Sequence, residues 1–364
     1  MANKKKKISI RNIISILTLI IVIVVVYKNI GLITEAINHL CETNIFIILL
    51  LIPEQLLMYY SLGQMFFSYM SAKKNAKKIS PWSLARISFE LNFVNHVVPS
   101  GGVAGLGYIS WRLLPYGSSP GQTSFMYLLR YAITIIVNQL QTIIAVIALL
   151  IIGNIPDDAW WVIWLALLVC AGIIGAIFLV IAIASSRKRI DWFAKTSTKF
   201  MDFVVNKITF GKRKHAIKFD TVQKFFAELH HDLIIARRNK KLLVKPILWG
   251  VLYGFLEFAT FWIVGISMGH PEILPYVMIG VALASVVGSV MPTPGGVGGY
   301  EGVMILVMSA LGMEVGLSTA IVVTTRVIVL VGTIASGYGF YQHAISKLGR
   351  PKSNQPEVNK GASS

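Results

Sequence analysis

Acidic residues and cysteines are scarce in this sequence, and their scarcity argues against several classes of protein. The chain contains 16 Asp and Glu against 34 Lys and Arg, and it has only two cysteines. Cys41 and Cys170 lie far apart, which argues against a disulfide framework and gives no metal-ligand spacing. We find no Ser–His–Asp, Cys–His or clustered-carboxylate arrangement that would support catalysis. We therefore expect no catalytic residue, no metal and no cofactor.

Apolar sequence, by contrast, is abundant. Hydrophobic residues make up 55% of the chain and charged residues 14%, and the mean hydropathy is +0.68. This profile is typical of a polytopic membrane protein. A helix needs about 20 apolar residues to cross a bilayer. The stretches that qualify are residues 8–27, 44–70, 120–152, 159–184, 246–269 and 315–343.

The first apolar stretch follows a basic "NKKKK" and has two interpretations. A cleaved signal peptide is one of them. We favour a retained membrane anchor, because the apolar run is long and no small-residue cleavage pattern follows it. The sequence therefore predicts an all-α protein with six crossing helices.

The distribution of charge predicts the orientation of these helices. Lys and Arg concentrate in residues 4–11, 73–78, 187–245 and 347–360. The other connections carry acidic residues instead: Glu35, Glu42, Asp157, Asp158, Glu272 and Glu314. Cytoplasmic loops retain Lys and Arg, so the basic segments mark the inside. Both termini are therefore expected inside.

This orientation leaves two segments that enter and return by the same face, 81–117 from inside and 272–311 from outside. Each contains a Gly/Pro break, "PSGGVAGLG" at 99–107 and "PTPGGVGG" at 292–299. Irregular backbone at membrane depth is tolerated only where it is buried in protein or lines a wet cavity. We predict two opposed re-entrant hairpins, with breaks at Pro99, Gly101, Gly102, Pro292, Pro294, Gly295 and Gly296. The alternative is that the Gly-x-x-x-Gly spacing only permits close helix packing.

The two halves of the chain resemble each other as an inverted repeat, 44–152 and 246–343. Alignment of the two "GGV" breaks pairs Arg130 with Arg326 in the long helices that follow. Each arginine lies about 16 Å into its helix, near the midplane of a core about 30 Å thick. Interrupted segments at corresponding positions of inverted halves indicate a transporter's binding site.

Charges of both signs fall within these predicted membrane segments. Arginine suits phosphate through its fixed fork of donors, and carboxylates suit ammonium groups. The candidate substrate-binding residues are Arg130, Arg326, Glu54, Glu257, Glu301, Arg112, Glu90 and His96. Intramembrane charges are functional by default, although a structural Glu–Arg pair joining the halves is the alternative.

Two of these candidates have a second interpretation. His96 is favoured as a hydrogen-bonded lining residue over a metal ligand, because no second ligand lies at a useful spacing. Glu301 follows the second break in the first turn of a new helix. It either complements the helix dipole or faces the substrate as an anion for a cationic amine or a proton.

Residues 185–245 form a basic segment with apolar residues at helical spacing. Such helices lie on anionic membrane surfaces. Binding of nucleic acid such as tRNA is an alternative that we do not favour. A linker enriched in Lys and Arg by the positive-inside rule is the interpretation that we prefer. A polar tail, 344–364, follows the last span.

The motifs "PSGGVAGLGY" and "PTPGGVGGYEG", each followed by an arginine, resemble the membrane region of the lysylphosphatidylglycerol synthase/flippase family, also called the flippase-like domain family. The resemblance covers residues 8–343. It implies movement of aminoacylated phosphatidylglycerol between leaflets of the bacterial cytoplasmic membrane, which protects against cationic antimicrobial peptides. Full bifunctional members carry a further soluble domain that transfers lysine from lysyl-tRNA to the lipid. This chain ends at Ser364, so the resemblance implies the membrane region without that domain.

The resemblance leaves several functions open. Lipid translocation is the function that we favour. The rivals are phosphatidylglycerol lysyltransferase activity, translocation of a polyprenyl-phosphate glycolipid, and a membrane scaffold without transport. The expected partners are a membrane phospholipid and a separate aminoacyl-transferase or glycosyltransferase. The chain contains no ATP-binding motif, so movement is expected to be downhill, coupled to a gradient, or dependent on a partner.

Overall fold

A computed structural model describes residues 43–72, 79–98, 103–152, 155–184, 219–291 and 293–348, and the isolated positions 27, 31, 34 and 196. This part of the chain is helical and contains no strand. Several predictions lie outside it. They are the first span at 8–27, the break residues Pro99, Gly101, Gly102 and Pro292, most of the basic segment before Phe219, and the tail beyond Leu348.

The helices follow one another with short connections. They are α1 (Ile45–Ile48), α2 (Leu51–Ala72), α3 (Pro81–Val97), α4 (Val103–Leu113), α5 (Pro120–Ile152), α6 (Trp160–Ala184), α7 (Phe219–Arg238), α8 (Lys241–Ser267), α9 (Leu274–Val290), α10 (Gly299–Ala310) and α11 (Val315–Leu348). Short 3₁₀ turns precede α5, α6, α9 and α10.

Local sequence signals explain where helices begin. The side chain of Asn44 accepts a hydrogen bond from the Phe46 amide at 3.1 Å and caps α1. Ser80 caps α3 in the same way, accepting from the Ser83 amide at 3.2 Å, and Pro81 occupies the first turn. A side-chain acceptor satisfies an amide that the first helical turn leaves open, and proline loses nothing there.

Six helical segments in the described part are long and apolar enough to cross a membrane. Five of them coincide with the predicted spans: Ile45–Ser71, Pro120–Ile152, Asp157–Leu179, Lys241–Ser267 and Val315–Lys347. The all-α polytopic membrane architecture predicted from the sequence is therefore confirmed. Apolar side chains such as Ile144, Trp164 and Leu168 remain exposed along these helices, as a lipid-facing surface requires.

The sixth qualifying segment, Pro271–Gly288, was assigned from the sequence to one limb of a re-entrant hairpin. It contains α9, which packs against α10. The 12 residues of α10 reach only about 18 Å, short of a core about 30 Å thick. The hairpins themselves stay a prediction, as does the division into repeats.

Helices of the two predicted halves pack against one another. Helix α2 packs along α8, and α5 packs against both α8 and α9. Helix α3 packs against α11, and its end contacts the turn at Pro294–Gly296. The end of α3 therefore lies beside the second break.

Helix α7 attaches to this bundle through two carboxylates. Glu228 accepts hydrogen bonds from the Ser119 hydroxyl at 2.9 Å and from the Gly121 amide at 3.2 Å. Asp232 accepts from the Tyr69 hydroxyl at 3.2 Å. Glu228 thus caps the beginning of α5 from another helix, because it satisfies an amide that the first turn leaves open.

Candidate functional site

The second break is a left-handed turn between α9 and α10. Gly295, Gly296 and Gly298 have φ values of 63°, 71° and 92°. Residues with a Cβ rarely adopt this region, so glycine is the residue that the turn requires. Gly296 is also packed so closely that an added Cβ would lie 2.8 Å from the backbone of Gly288. The described part of the first break is limited to its flanks, the end of α3 and the start of α4.

A closed cluster of charged and backbone groups holds the second break. Glu301 accepts hydrogen bonds from the Gly298 amide at 2.7 Å and from Arg326 Nε at 2.6 Å. Arg326 Nη2 donates to the Gly295 carbonyl at 2.8 Å. The guanidinium lies 4.4 Å from the centre of the Tyr300 ring. We call these five residues the second-break cluster; in it Glu301 caps α10 and also pairs with Arg326.

A second cluster joins α3 to α4. Glu90 is 0% exposed and accepts hydrogen bonds from Arg86 Nε at 3.1 Å and from the Tyr108 hydroxyl at 2.8 Å. Arg112 donates to both of its carboxylate oxygens. Every lone pair of this carboxylate therefore has a donor, which is the condition under which a buried charge is stable. We call Arg86, Glu90, Tyr108 and Arg112 the α3–α4 cluster.

Arg130 on α5 lacks such a pairing. Its Nε and Nη1 atoms are buried, and neither has a hydrogen-bond partner in the part of the chain that the structure describes. The guanidinium lies over two rings of its own helix, 4.7 Å from the centre of Tyr131 and 5.9 Å from that of Tyr127. Its side chain also makes a hydrogen-bonding contact with Tyr253. Two strong donors of a buried arginine thus stay open.

Glu257 on α8 faces the same region. Its Oε2 accepts a hydrogen bond from Asn138 Nδ2 at 3.2 Å. It lies within electrostatic reach of both Arg130 and Arg326, although no arginine or lysine of the described residues forms an ion pair with it. The residue as a whole is half-buried.

His96 brings the end of α3 to the second break. A Cβ on Gly295 would lie 2.9 Å from His96 Cδ2, and His96 Nδ1 lies 3.0 Å from the Asn92 carbonyl. His96 is also within electrostatic reach of Arg326. The structure therefore gathers four predicted site residues, which we call the central site: His96, Arg130, Glu257 and Arg326.

Glu54 on α2 contacts α8 about one helical turn from Glu257. Its Oε2 accepts from Gln55 Nε2 at 2.9 Å, and its Oε1 is 3.2 Å from the Thr260 hydroxyl. Thr260 follows Glu257 by three residues, about one helical turn. Glu54 is thus close to the central site, whereas Glu90 and Arg112 belong to the separate α3–α4 cluster.

A polar face of α5 was not predicted from the sequence. Thr134, Asn138 and Gln141 follow Arg130 at helical spacing, and each has a buried side-chain oxygen without a hydrogen-bond partner among the described residues. A Cβ on Gly254 of α8 would lie 2.9 Å from Gln141 Oε1 and 3.3 Å from Asn138 Oδ1. The signal that would have found this face is the recurrence of polar residues every three or four positions in an apolar helix.

The described residues contain no group of three or more side chains arranged to hold a metal ion. The central site instead carries guanidinium, carboxylate and imidazole groups, with tyrosine rings and the Asn138 amide in contact with them. This chemistry suits an organic ion with both signs of charge, since arginine binds phosphate by its donor fork and aromatic faces attract cations.

Apolar helices of membrane-spanning length around buried charges of both signs define a polytopic membrane protein with a polar centre. The family model described as "Lysylphosphatidylglycerol synthase TM region" matches residues 12–337. The chain therefore belongs to this family, as the two Gly/Pro motifs predicted. No curated protein and no solved structure shows significant similarity to the chain.

Proposed function

We propose that this protein moves an aminoacylated anionic phospholipid, such as lysylphosphatidylglycerol, between the leaflets of a bacterial cell membrane. The observation that carries the proposal is Arg130, whose buried Nε and Nη1 donors have no partner among the described residues. A buried donor without a partner costs about 1–3 kcal/mol, and more when it is charged. A lipid phosphate would supply an acceptor for such a donor.

The second part of the headgroup has a counterpart in Glu257. An aminoacylated headgroup carries ammonium groups beside its phosphate, and the half-buried carboxylate of Glu257 lies within electrostatic reach of Arg130. Glu257 accepts one hydrogen bond from Asn138, which leaves further lone pairs for an ammonium donor. The pair therefore suits a headgroup with both signs of charge.

The remaining charged residues have positioning roles in this proposal. Arg326 and Glu301 are bound to one another and to the backbone of the second break. Glu90 and Arg112 are bound within the α3–α4 cluster. Glu301 and Arg326 hold the backbone of the second break, and His96 connects that backbone to α3. The α3–α4 cluster holds α3 against α4. The consequence of such transport would be a less negative outer surface and resistance to cationic antimicrobial peptides.

A polyprenyl-phosphate glycolipid is the second candidate substrate, because Arg130 alone provides for its phosphate. The two candidates differ at Glu257, since the glycolipid has no ammonium group for it. Phosphatidylglycerol lysyltransferase activity remains the alternative that belongs to the family description. It would appear as formation of lysyl-lipid from lysyl-tRNA by the purified protein.

Reconstitution tests these functions directly. Purified protein is placed in vesicles that contain labelled phosphatidylglycerol, lysylphosphatidylglycerol or a polyprenyl-phosphate glycolipid, and leaflet accessibility is followed with time. We expect transport of the lysyl-lipid that depends on Arg130 and Glu257. The variant Arg238→Ala, at an exposed arginine at the end of α7, serves as the matched control. Equal rates with and without protein for every lipid would refute the proposal.

A further inference from the structure

Among the described residues, Glu54 differs from the other intramembrane carboxylates in having neither an arginine partner nor an arginine within electrostatic reach. Glu90 and Glu301 are each paired with arginine, and Glu257 lies within electrostatic reach of Arg130 and Arg326. Glu54 is 8% exposed. Its hydrogen-bond partners among the described side chains are the Gln55 amide and the Thr260 hydroxyl. An ionised carboxylate without a cation in such surroundings is costly.

The number of hydrogen atoms near Glu54 limits the hydrogen bonds that can form there. The Thr260 hydroxyl has one hydrogen, yet its oxygen lies 3.0 Å from the Leu256 carbonyl and 3.2 Å from Glu54 Oε1. The carbonyl can only accept. If Glu54 were ionised, both neighbours would be acceptors, and one of the two oxygen–oxygen contacts would have no hydrogen.

A proton on Glu54 Oε1 supplies the hydrogen that is missing from these contacts. Gln55 Nε2 donates its two hydrogens to Glu54 Oε2 at 2.9 Å and to Thr260 Oγ1 at 3.2 Å. Glu54 Oε1–H then donates to Thr260 Oγ1, which in turn donates to the Leu256 carbonyl. Both lone pairs of the hydroxyl oxygen and every hydrogen have a partner in this arrangement. The ionised form cannot achieve this.

We propose that Glu54 is a proton-binding site, protonated at Oε1 in this conformation, and that it exchanges its proton for the ammonium group of the transported headgroup. The exchange rests on the proposed function, whereas the protonation rests on the hydrogen-bond geometry alone. In the exchange the O–H bond of Glu54 breaks, the proton leaves to water, and the carboxylate takes one ammonium group. The net charge of the site is unchanged.

The position of Glu54 fits such an exchange. Thr260 and Glu257 lie about one turn apart on α8, so the proton site adjoins the carboxylate that is proposed to bind the headgroup. The charged and titratable side chains that face this region from α2, α3, α5, α8 and α11 are Tyr59, His96, Arg130, Tyr253, Glu257 and Arg326. None of them hydrogen bonds to Glu54.

Proton exchange would also give this protein, which has no nucleotide-binding motif, a source of energy. Outward movement of a cationic headgroup would be balanced by proton entry.

Infrared difference spectroscopy at neutral pH tests the protonation without any transport assay. The parent protein should show the carbonyl stretching band of a protonated carboxylic acid, and Glu54→Gln should lose it. Glu272→Gln is the matched control, because Glu272 lies at an exposed turn and its loss should leave the band intact. A parent spectrum without this band, or a band that Glu54→Gln retains, would overturn the proposal.

A second variant keeps the carboxylic acid of Glu54 and removes Thr260 Oγ1, the acceptor of its hydrogen bond. In Thr260→Val the Glu54 hydroxyl loses its hydrogen-bond acceptor, so the carbonyl band should shift to higher frequency while remaining present. Thr260→Ser should leave it in place. Because this measurement keeps Glu54, it decides the question even where Glu54→Gln fails to fold. An unshifted band in Thr260→Val would contradict the hydrogen-bond assignment.

The exchange is tested in vesicles with a pH dye inside and lysylphosphatidylglycerol in one leaflet. Movement of the lysyl-lipid should be accompanied by proton movement in the opposite direction, and both should be lost in Glu54→Gln. Lysyl-lipid movement without proton movement would overturn the exchange. If no lipid moves but the infrared band behaves as expected, the proton site stands and the proposed function fails.

Discussion

At the residue scale, the buried charges of this protein fall into two kinds. Glu90 and Glu301 are bound on all sides by arginine, hydroxyl or backbone donors. Among the described residues, Arg130 and Glu54 form no ion pair. Residues of the first kind maintain structure, so their loss should lower stability. Residues of the second kind are not held by an ion pair, so their loss should alter function while the fold persists.

Arg130→Ala should reduce lipid movement by about tenfold to a hundredfold, the equivalent of one lost charged hydrogen-bonding group. Arg130→Lys should recover part of the rate, because lysine has the charge without the two-pronged donor geometry. Leaflet accessibility in vesicles measures the rate, and the melting temperature should hardly change. Full activity of the alanine variant would remove Arg130 from the site.

Glu90→Gln, unlike Arg130→Ala, should lower the melting temperature. The substitution leaves Arg86 and Arg112 in a buried site without their counter-charge, and breaking a buried ion pair costs about 3–5 kcal/mol. The melting temperature in detergent should therefore fall by several degrees. Glu272→Gln, at a side chain that is 64% exposed, should leave it unchanged. An unaltered melting temperature in Glu90→Gln would show that the α3–α4 cluster does not support the fold.

At the scale of the elements, the second break depends on Glu301. Its carboxylate satisfies the open amide of Gly298 and holds Arg326 beside the Gly295 carbonyl. Glu301→Gln removes the charge from both contacts and should destabilise the protein by about 2 kcal/mol. It should slow every transported lipid to a similar extent, because the whole break is loosened. Selective loss of lysyl-lipid movement at unchanged thermal stability would instead assign Glu301 to headgroup recognition.

Close packing of α5 on α8 positions the polar face of α5 against Glu257. A Cβ on Gly254 would lie 2.8 Å from Val137 Cγ1 and 2.9 Å from Gln141 Oε1. Gly254→Ala should therefore push the helices apart and weaken the contact between Asn138 and Glu257, with a fall in transport rate. Gly332→Ala on α11 is the matched control, since nothing lies within 4 Å of an added Cβ there. Equal rates for the two variants would contradict this role for the packing.

The sequence predicted helices well because an apolar run of sufficient length is a local property. The sequence predicted less well which charged side chains pair with one another. The spacing of Arg86 and Glu90 by four residues could have indicated their contact on one helix face. The partnership of Glu90 with Arg112, and the approach of His96 to Gly295, depend on how separate helices meet. Length and hydropathy also fail to distinguish a crossing helix from a hairpin limb, so α9 satisfies the criterion for a span.

At the scale of the whole molecule, the predicted inverted repeat requires the starts of α5 and α11 to lie on opposite sides of the membrane. Gly121 is a poor position for a reporter, because an added Cβ would collide with Glu228. In a background with Cys41→Ala and Cys170→Ala, Gln122→Cys should react with impermeant reagents only from inside, and Glu314→Cys only from outside. Labelling of both from the same side would contradict the inverted arrangement.

The capping of α5 by Glu228 has a consequence for how the chain length can vary among relatives. Only Asn239 and Lys240 separate the end of α7 from the start of α8, so the position of Glu228 is tied to that of α8. One residue inserted there adds up to about 3.5 Å of chain between the two helices, which would let the carboxylate move away from the Gly121 amide. Insertions before Phe219 leave this spacing intact. Length variation in this connection should therefore accumulate upstream of α7 and be rare between α7 and α8.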